Sequence, residues 1–274
     1  MITKYMNYLS NVAGYSQNTC KAYESDLRAF AVWAKVHTAN GRWSCIEQSD
    51  IEAYISHLTK QGYEAASTNR ALSSIRSLYR WWQRQGLITE NPAKNVLPRL
   101  EPKNVPTTIS TEKLQAIYHA ADEETQLIIA ILYCTGIRVS ELLSIRWQDV
   151  DLNNGSILIN GKGNKQRYVY VGNNVTEGLR KRHSSKNWKG VIFQHSQRTI
   201  RRMLSDAKNA AGIEGTISPH VIRHTIATEW AKRGASNNMI AKALGHARLE
   251  TSNKYIDLAQ VSAKPMMLVN SMFN

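Results

Sequence analysis

The chain has 274 residues, a hydrophobic fraction of 42% and a formal net charge of +14. Its three cysteines form neither an even set nor a metal-ligand spacing, which argues against a disulfide framework and favours a reducing compartment. The longest apolar run, residues 127–134, is too short to span a bilayer, and the N-terminal segment lacks the apolar core of a signal peptide. We therefore expect a cytoplasmic protein.

Positive charge is spread over both halves of the chain. Before Val105 the 13 Lys and Arg residues exceed 8 acidic residues by five, and after it 22 exceed 13 by nine. A distributed excess favours a long polyanion contacted by the whole molecule, with an affinity that falls steeply with salt. The alternative, a basic protein with ordinary solvated faces, stays open on charge alone.

The first hundred residues predict helices. Ser16 is a candidate cap for a helix over residues 19–36, in which apolar residues recur at helical spacing. Further helices are predicted over 50–61 and 67–85, each ending near a glycine. One face of the last helix carries small polar and basic groups that suit a DNA groove or its phosphates, although the face of an ordinary amphipathic helix looks the same. The candidate DNA contacts on this face are Asn69, Arg76, Arg80 and Arg84.

Four prolines between residues 92 and 106 interrupt this pattern. Proline is excluded from helix interiors and biases its predecessor to extended geometry, so an interdomain linker is predicted. The expected division is an N-terminal helical domain over 1–90, a linker over 91–108 and a second domain over 109–274.

The second half predicts a mainly α domain with a small antiparallel sheet. A helix follows the Ser110/Thr111 cap, and another covers 124–135. The segments GSILING and RYVYVG alternate as two strands of a hairpin, and the run VIFQ is a candidate third strand. Helices are predicted over 196–211, 219–233, 236–244 and around Tyr255.

Several side chains of this second domain fit metal-free attack on a phosphodiester. Paired arginines can stabilise the transition-state charge, because each guanidinium is permanently charged and binds two oxygens; Arg138 and Arg223 are the candidates. His220 lies three residues before Arg223, on the same helix face, and Pro219 suits a helix start.

The tip of the predicted hairpin carries Lys162, with Lys165 and Arg167 following as candidate DNA contacts. Lys162 could protonate a departing 5′ oxygen. Tyr255 is a candidate nucleophile whose phenol must lose its proton, since its ordinary pKa is about 10. His220 is the proposed base and His246 a phosphate donor. Each of these residues alone is a weak indication of catalysis. Together, in this order within one domain of a basic chain, they favour a site that attacks phosphodiesters.

The chain resembles the tyrosine recombinases of the phage-integrase and Xer-like kind over nearly its whole length. TGIRVSEL resembles the first arginine box, which implies Arg138 in the active site with Glu141 as its supporting carboxylate. GKGNKQRYVYV resembles the hairpin with the catalytic lysine, SPHVIRHT the box of His220 and Arg223, and LGHARLETSNKYIDL the box of His246 and Tyr255. The N-terminal half resembles the family's core-binding, SAM-like domain more loosely.

The resemblance implies a site-specific recombinase. Tyr255 would form a 3′-phosphotyrosine and free a 5′-hydroxyl, and strands would be exchanged through a Holliday junction in a tetramer, without metal or ATP. The two domains would form a C-shaped clamp on a DNA site with inverted half-sites. A second recombinase or an accessory DNA-binding protein could take part.

The segment after Tyr255 is rich in apolar residues. It could dock on its own domain or, as the resemblance implies, insert into a neighbouring subunit. Two other functions stay open at this point: relaxation of DNA by a type IB topoisomerase, and DNA binding without catalysis on the same fold.

Overall fold

The structure, a computed structural model, describes residues 1–38, 42–102, 106–161, 166–185 and 190–245. The chain divides into two compact units, Met1–Lys103 and Asn104–Asn274. Among the helices of the described ranges, none is both long and apolar enough to cross a membrane.

The N-terminal unit is helical. Its core is formed by apolar side chains that recur at helical spacing, such as Leu27 and Phe30 on one helix and Leu72 and Ile75 on another, all fully buried. Ser16 caps the second helix by accepting a hydrogen bond from the backbone of Thr19, as the sequence predicts. The helices are α1 (Ile2–Asn11), α2 (Gln17–His37), α3 (Gln48–Lys60) and α4 (Ala65–Arg84).

Helix α1 was not predicted from the sequence. It has no side-chain cap, and its buried anchors are Tyr5 and Leu9, too few for a clear periodicity. Tyr5 is buried against α4 and donates a hydrogen bond to Ser77 at 2.7 Å. Tertiary packing therefore holds this helix in place.

The first part of the predicted linker is bound to α4. Asn69 accepts a hydrogen bond from the backbone N–H of Arg99 at 2.8 Å and donates one to its carbonyl at 2.9 Å. Arg76 donates to the carbonyls of Ala93 and Val96 at 3.0 and 2.6 Å. This stretch belongs structurally to the N-terminal unit, although its prolines suggest a free connection.

The C-terminal unit is built around one buried helix, α6, which packs against α5, α8, α9 and α10. Apolar residues on nearly every face of α6 are buried, including Ile128 and Leu132. Most helices of this unit begin at a serine or aspartate whose side chain accepts a backbone N–H. The helices are α5 (Thr111–Ala120), α6 (Glu123–Thr135), α7 (Val139–Leu142), α8 (Asn173–Ser185), α9 (Gln197–Ala210), α10 (Pro219–Lys232) and α11 (Asn237–Leu244).

A three-stranded antiparallel sheet has the order β1-β2-β3. Its strands are β1 (Val150–Asp151), β2 (Ser156–Asn160) and β3 (Gln166–Tyr170). Ile157 on β2 faces Val169 on β3. The predicted hairpin is confirmed, and the turn residues 162–165 lie outside the described part of the chain.

The structure differs from the prediction for this unit at the run VIFQ and at helix α8. The run VIFQ is not a strand: Val191 makes an isolated bridge to Arg146, while Ile192 and Phe193 are buried in the core. A short apolar run cannot be assigned to a strand by its pattern alone, and the third strand is β1. Helix α8 was not predicted, because its apolar anchors are few and polar residues surround them.

Candidate active site

Arg138 lies in the turn between the end of α6 and the start of α7. Gly136 ends this helix in the left-handed conformation, with φ of 61°. A Cβ at this position would lie 2.6 Å from Cδ2 of Leu244 and 3.3 Å from Cγ2 of Ile226, so only glycine fits. The tight turn places Arg138 directly before α7, with its side chain 35% exposed.

Glu141 is a buried carboxylate that binds two arginines. It accepts hydrogen bonds from the backbone N–H and the guanidinium of Arg138, both at 2.9 Å, and from two nitrogens of Arg167 at 3.2 and 2.9 Å. Burial alone would raise the pKa of Glu141, but the hydrogen bonds from Arg167 and the Arg138 backbone and both positive charges outweigh burial and lower it. The carboxylate of Glu141 is therefore ionised and holds the guanidiniums of Arg138 and Arg167 in place.

Helix α10 supplies His220 and Arg223. Pro219 occupies its first turn, as the sequence predicts, and the side chain of Ser218 caps the helix by accepting a hydrogen bond from the backbone of Val221. Arg223 is buried and donates hydrogen bonds to the carbonyls of Gly136 and Leu244, the latter at 2.8 Å. His220, one turn earlier, is exposed.

The C-terminal end of α11 lies against all three arginines. The last carbonyls of a helix have no partner within it and carry partial negative charge, so cations are favourable there. Gly245 ends α11 with φ of 64°. Three consecutive carbonyl oxygens each accept a bond from a different guanidinium: Ala243 from Arg167 Nε at 3.0 Å, Leu244 from Arg223 Nη2 at 2.8 Å, and Gly245 from Arg138 Nη2 at 3.3 Å.

The imidazole of His220 titrates below its ordinary range. Although the residue is exposed, partial desolvation by surrounding protein lowers its pKa most, followed by the charges of Arg223, Arg201 and Arg138. The imidazole is accordingly neutral at pH 7 and able to accept a proton. The same interactions mean that these arginines lie around the histidine.

Positive charge exceeds negative charge at this site. The cluster holds three guanidiniums, two of them bound to the carboxylate of Glu141, so its net charge is positive and favours an anion. Among the described residues, no group of three or more His, Cys, Asp or Glu could hold a metal ion. The chemistry available from these groups is clamping of an anion by guanidinium and proton transfer by imidazole.

A row of arginines on α9 adjoins the site. Ile200 and Leu204 bury the inner face of this helix. Arg198, Arg201 and Arg202 are exposed on its outer face. The charge of Arg201 acts on His220, so the basic surface continues from α9 to the imidazole. This surface was not predicted from the sequence, although aliphatic residues alternating with arginines at helical spacing are the pattern that indicates it.

The predicted site residues fall into three groups. Arg138, Glu141, His220 and Arg223 come together in one cluster. Arg167, expected to contact DNA, lies in the same cluster with a side chain 16% exposed and all three of its nitrogens donating internally. Lys162, Lys165, His246 and Tyr255 lie outside the described residues, as does the apolar tail.

Of the four residues on α4 predicted to contact DNA, two bind the protein itself and two are exposed. Asn69 and Arg76 are occupied by hydrogen bonds to the stretch that follows α4. Arg80 and Arg84 are exposed, and no carboxylate of the described chain forms an ion pair with either. DNA contact by these four residues stays a prediction, and the structure gives Asn69 and Arg76 an internal role.

Comparison with known proteins matches both halves of the chain to one family. Residues 107–261 match the phage integrase family, and residues 2–86 match the phage integrase N-terminal SAM-like domain. The tyrosine recombinase XerC of Listeria innocua serovar 6a is 30% identical over 282 residues, covering 95% of this chain and 94% of that protein. XerD of Listeria monocytogenes serotype 4b is 28% identical over 284 residues, covering 96% of each.

Solved structures share the fold. A lambda integrase fragment dimer bound to a core site has a TM-score of 0.74 at 20% identity, covering 97% of this chain and 98% of that one. XerH recombinase bound to its difH substrate has a TM-score of 0.72 at 20% identity, covering 93% and 91%. The XerA recombinase is 26% identical with a TM-score of 0.53, covering 94% and 93%.

Proposed function

The chain belongs to the phage integrase family, and we propose, on that premise, the residues through which it acts as a site-specific tyrosine recombinase. The observation that carries the assignment is that Arg138 and Arg223 both bind the end of α11 while their charges act on His220. The comparisons favour strand exchange over the two alternatives, DNA relaxation and DNA binding without catalysis.

The two arginines bind the scissile phosphate. Arg138 keeps about a third of its side chain exposed, and its bond to Gly245, at 3.3 Å, is long enough to be exchanged for a phosphate oxygen. Arg223 is held more firmly and presents a fixed positive charge beside it. Charges held in place before substrate binds stabilise the transition state without reorganisation.

Cleavage follows as an exchange of one phosphodiester for another. The phenol oxygen of Tyr255 attacks phosphorus and its proton passes to neutral His220, while the bond from phosphorus to the 5′ oxygen breaks. Lys162 protonates the departing oxygen and His246 binds a phosphate oxygen. The products are a 3′-phosphotyrosine and a free 5′-hydroxyl, and because the ester bond is conserved, the reversal needs no ATP.

Rejoining to a different strand completes recombination. A 5′-hydroxyl from the partner duplex attacks the phosphotyrosine, which releases Tyr255 and generates a Holliday junction.

We propose that two chains bind the inverted half-sites of one DNA site and that a tetramer joins two sites. The apolar tail after Tyr255 contributes to contacts between subunits, and the partners we propose include a second recombinase or an accessory DNA-binding protein. Such a protein acts in the cytoplasm, on nucleoid DNA.

The DNA interface extends beyond the reacting phosphate. The charge of Arg201 acts on His220, and Arg198 and Arg202 share its exposed helix face, so we infer that a duplex whose phosphate reaches the site also meets this face of α9. Arg80 and Arg84 supply exposed charge on α4 of the other unit. These groups bind phosphates or base edges, depending on the groove that each helix meets.

The function is tested by trapping the covalent intermediate. The purified protein first selects its site from a randomised duplex library. A duplex of that site, nicked shortly 3′ of the scissile phosphate, then lets the short fragment that carries the new 5′-hydroxyl diffuse away. We expect a protein–DNA band that survives denaturation. Tyr255→Phe should bind the duplex as tightly as the unchanged protein and form no band. A band with the phenylalanine variant would show that Tyr255 is not the nucleophile.

A further inference from the structure

Arg167 binds other parts of its own unit through all three side-chain nitrogens, unlike a solvated surface arginine. Its Nη1 and Nη2 bind both oxygens of Glu141 and its Nε binds the carbonyl of Ala243. The side chain is 16% exposed and the carboxylate partner 5%. A guanidinium engaged on three nitrogens in a nearly closed site has little left for DNA.

The carboxylate that Arg167 holds is the one that orients Arg138. Glu141 accepts from the Arg138 backbone through one oxygen and from its guanidinium through the other. Arg167 bridges the same two oxygens from β3 and fixes the plane of the carboxylate. Without the bonds from Arg167, only the two bonds from Arg138 itself would hold the buried carboxylate, and no second segment of the chain would fix its orientation.

Arg167 also anchors the helix that leads into the last catalytic box. Its Nε binds Ala243 at 3.0 Å, three residues before His246 in the sequence. A Cβ on Gly245 would lie 2.9 Å from Nη1 and 3.1 Å from Cζ of Arg167, so the guanidinium packs against this glycine as closely as its missing side chain allows. One side chain thus joins β3, α7 and the end of α11.

We propose that Arg167 is a positioning residue for strand cleavage: it holds Glu141, and through it Arg138, in register with the end of α11. This inference rests on the proposed function. It replaces the expectation that Arg167 contacts DNA.

The test measures single-turnover formation of the covalent complex on the nicked duplex, and binding to the intact site by gel shift. Arg167→Gln should lower the cleavage rate about 100-fold, the order expected for a small displacement of a catalytic group. Its affinity for the site should change less than threefold. Arg28→Gln, which removes an exposed arginine paired with Glu24, is the control and should leave both quantities unchanged.

A double substitution tests the route through Glu141. Glu141→Gln with Arg167→Gln should cleave no more slowly than the slower single variant, because both changes remove one shared contact. The double variant also leaves no buried carboxylate that has lost one of its two arginine partners, so it guards against failure to fold, which thermal melting checks. A loss equal to the product of the two single losses would overturn the proposal.

A modified substrate separates Arg167 from the hairpin that precedes it in the chain. When sulfur replaces the bridging 5′ oxygen, the leaving group no longer requires a proton, so any defect in the general acid is bypassed. We expect Arg167→Gln to stay slow on this substrate. Recovery of the unchanged protein's rate would place the defect at Lys162 and overturn the proposal. If the unchanged protein formed no covalent complex, the proposed function itself would fail instead.

Discussion

At the scale of single residues, His220 shows how position sets chemistry. An HxxR pair is common in sequences, and its helical spacing says only that the two side chains share a face. The structure adds partial desolvation and three nearby arginines, which together lower the pKa of His220. A lowered pKa keeps the imidazole neutral at pH 7, as the proposed role of a base toward Tyr255 requires.

This shift predicts a pH dependence. With neutral His220 as the base, the single-turnover cleavage rate should rise with pH through a midpoint below about 6.5, the ordinary histidine value, and then level off. Arg201→Gln removes a positive neighbour, which favours the imidazolium and should move the midpoint upward. Arg202→Gln is the control on the same helix and should leave the midpoint in place. A midpoint that falls in Arg201→Gln would contradict this account.

At the scale of elements, the end of α6 and the end of α11 form one unit. Each helix ends at a glycine in the left-handed conformation, and Gly136 packs on the side chain of Leu244. The carbonyls of both helix ends bind the guanidinium of Arg223. Two glycine caps that are far apart in the sequence therefore lie side by side in the candidate active site, where both helix ends bind Arg223.

A substitution at Gly136 should therefore disturb both stability and catalysis. In Gly136→Ala, a strained φ combines with a methyl group 2.6 Å from Leu244 Cδ2. Gly212→Ala is the matched control, because Gly212 has φ of 66° and nothing within 4 Å. The control should lose about 1–2 kcal/mol of unfolding free energy in urea titration, and Gly136→Ala should lose more. Equal losses would show that the packing against Leu244 does not matter.

The contacts between α4 and the stretch after it predict that two arginine substitutions on α4 differ in their effect on proteolysis. Arg76→Gln removes two charge-assisted hydrogen bonds to Ala93 and Val96, so trypsin should cleave after Lys94 and Arg99 roughly tenfold faster. Arg80→Gln, at an exposed position on the same helix, should leave proteolysis unchanged and weaken DNA binding. Unchanged proteolysis of Arg76→Gln would mean that the bonds contribute nothing to holding this stretch.

At the scale of the whole molecule, the charge of +14 governs how binding responds to salt. The logarithm of the association constant should fall linearly with the logarithm of salt concentration, because bound phosphates release counterions. The double variant with Arg198→Gln and Arg202→Gln should reduce the slope by about two. Lys208→Gln changes a lysine of α9 that bonds to the carbonyl of Gly215, and it should leave the slope nearly unchanged. An unaltered slope in the arginine variant would remove α9 from the DNA interface.

Sequence alone determined the features that depend on local spacing. Helix α2 with its Ser16 cap, the hairpin of β2 and β3, and the start of α10 at Pro219 were all predicted, because caps, alternation and periodicity act within a few residues. The family boxes placed Arg138, His220 and Arg223 in one domain. The resemblance also supplied Lys162, His246 and Tyr255, whose roles stay predictions.

Tertiary structure decided which groups those arginines meet. Arg167 and Glu141 are 26 residues apart, and Arg138 reaches Gly245 across 107. No local pattern encodes such contacts, since they arise only where separate chain segments pack together. For the same reason the sequence suggested Arg167 as a DNA contact, while the fold directs its side chain, only 16% exposed, onto Glu141. The spacing of motifs therefore specified the reactive groups, and long-range packing fixed their orientation.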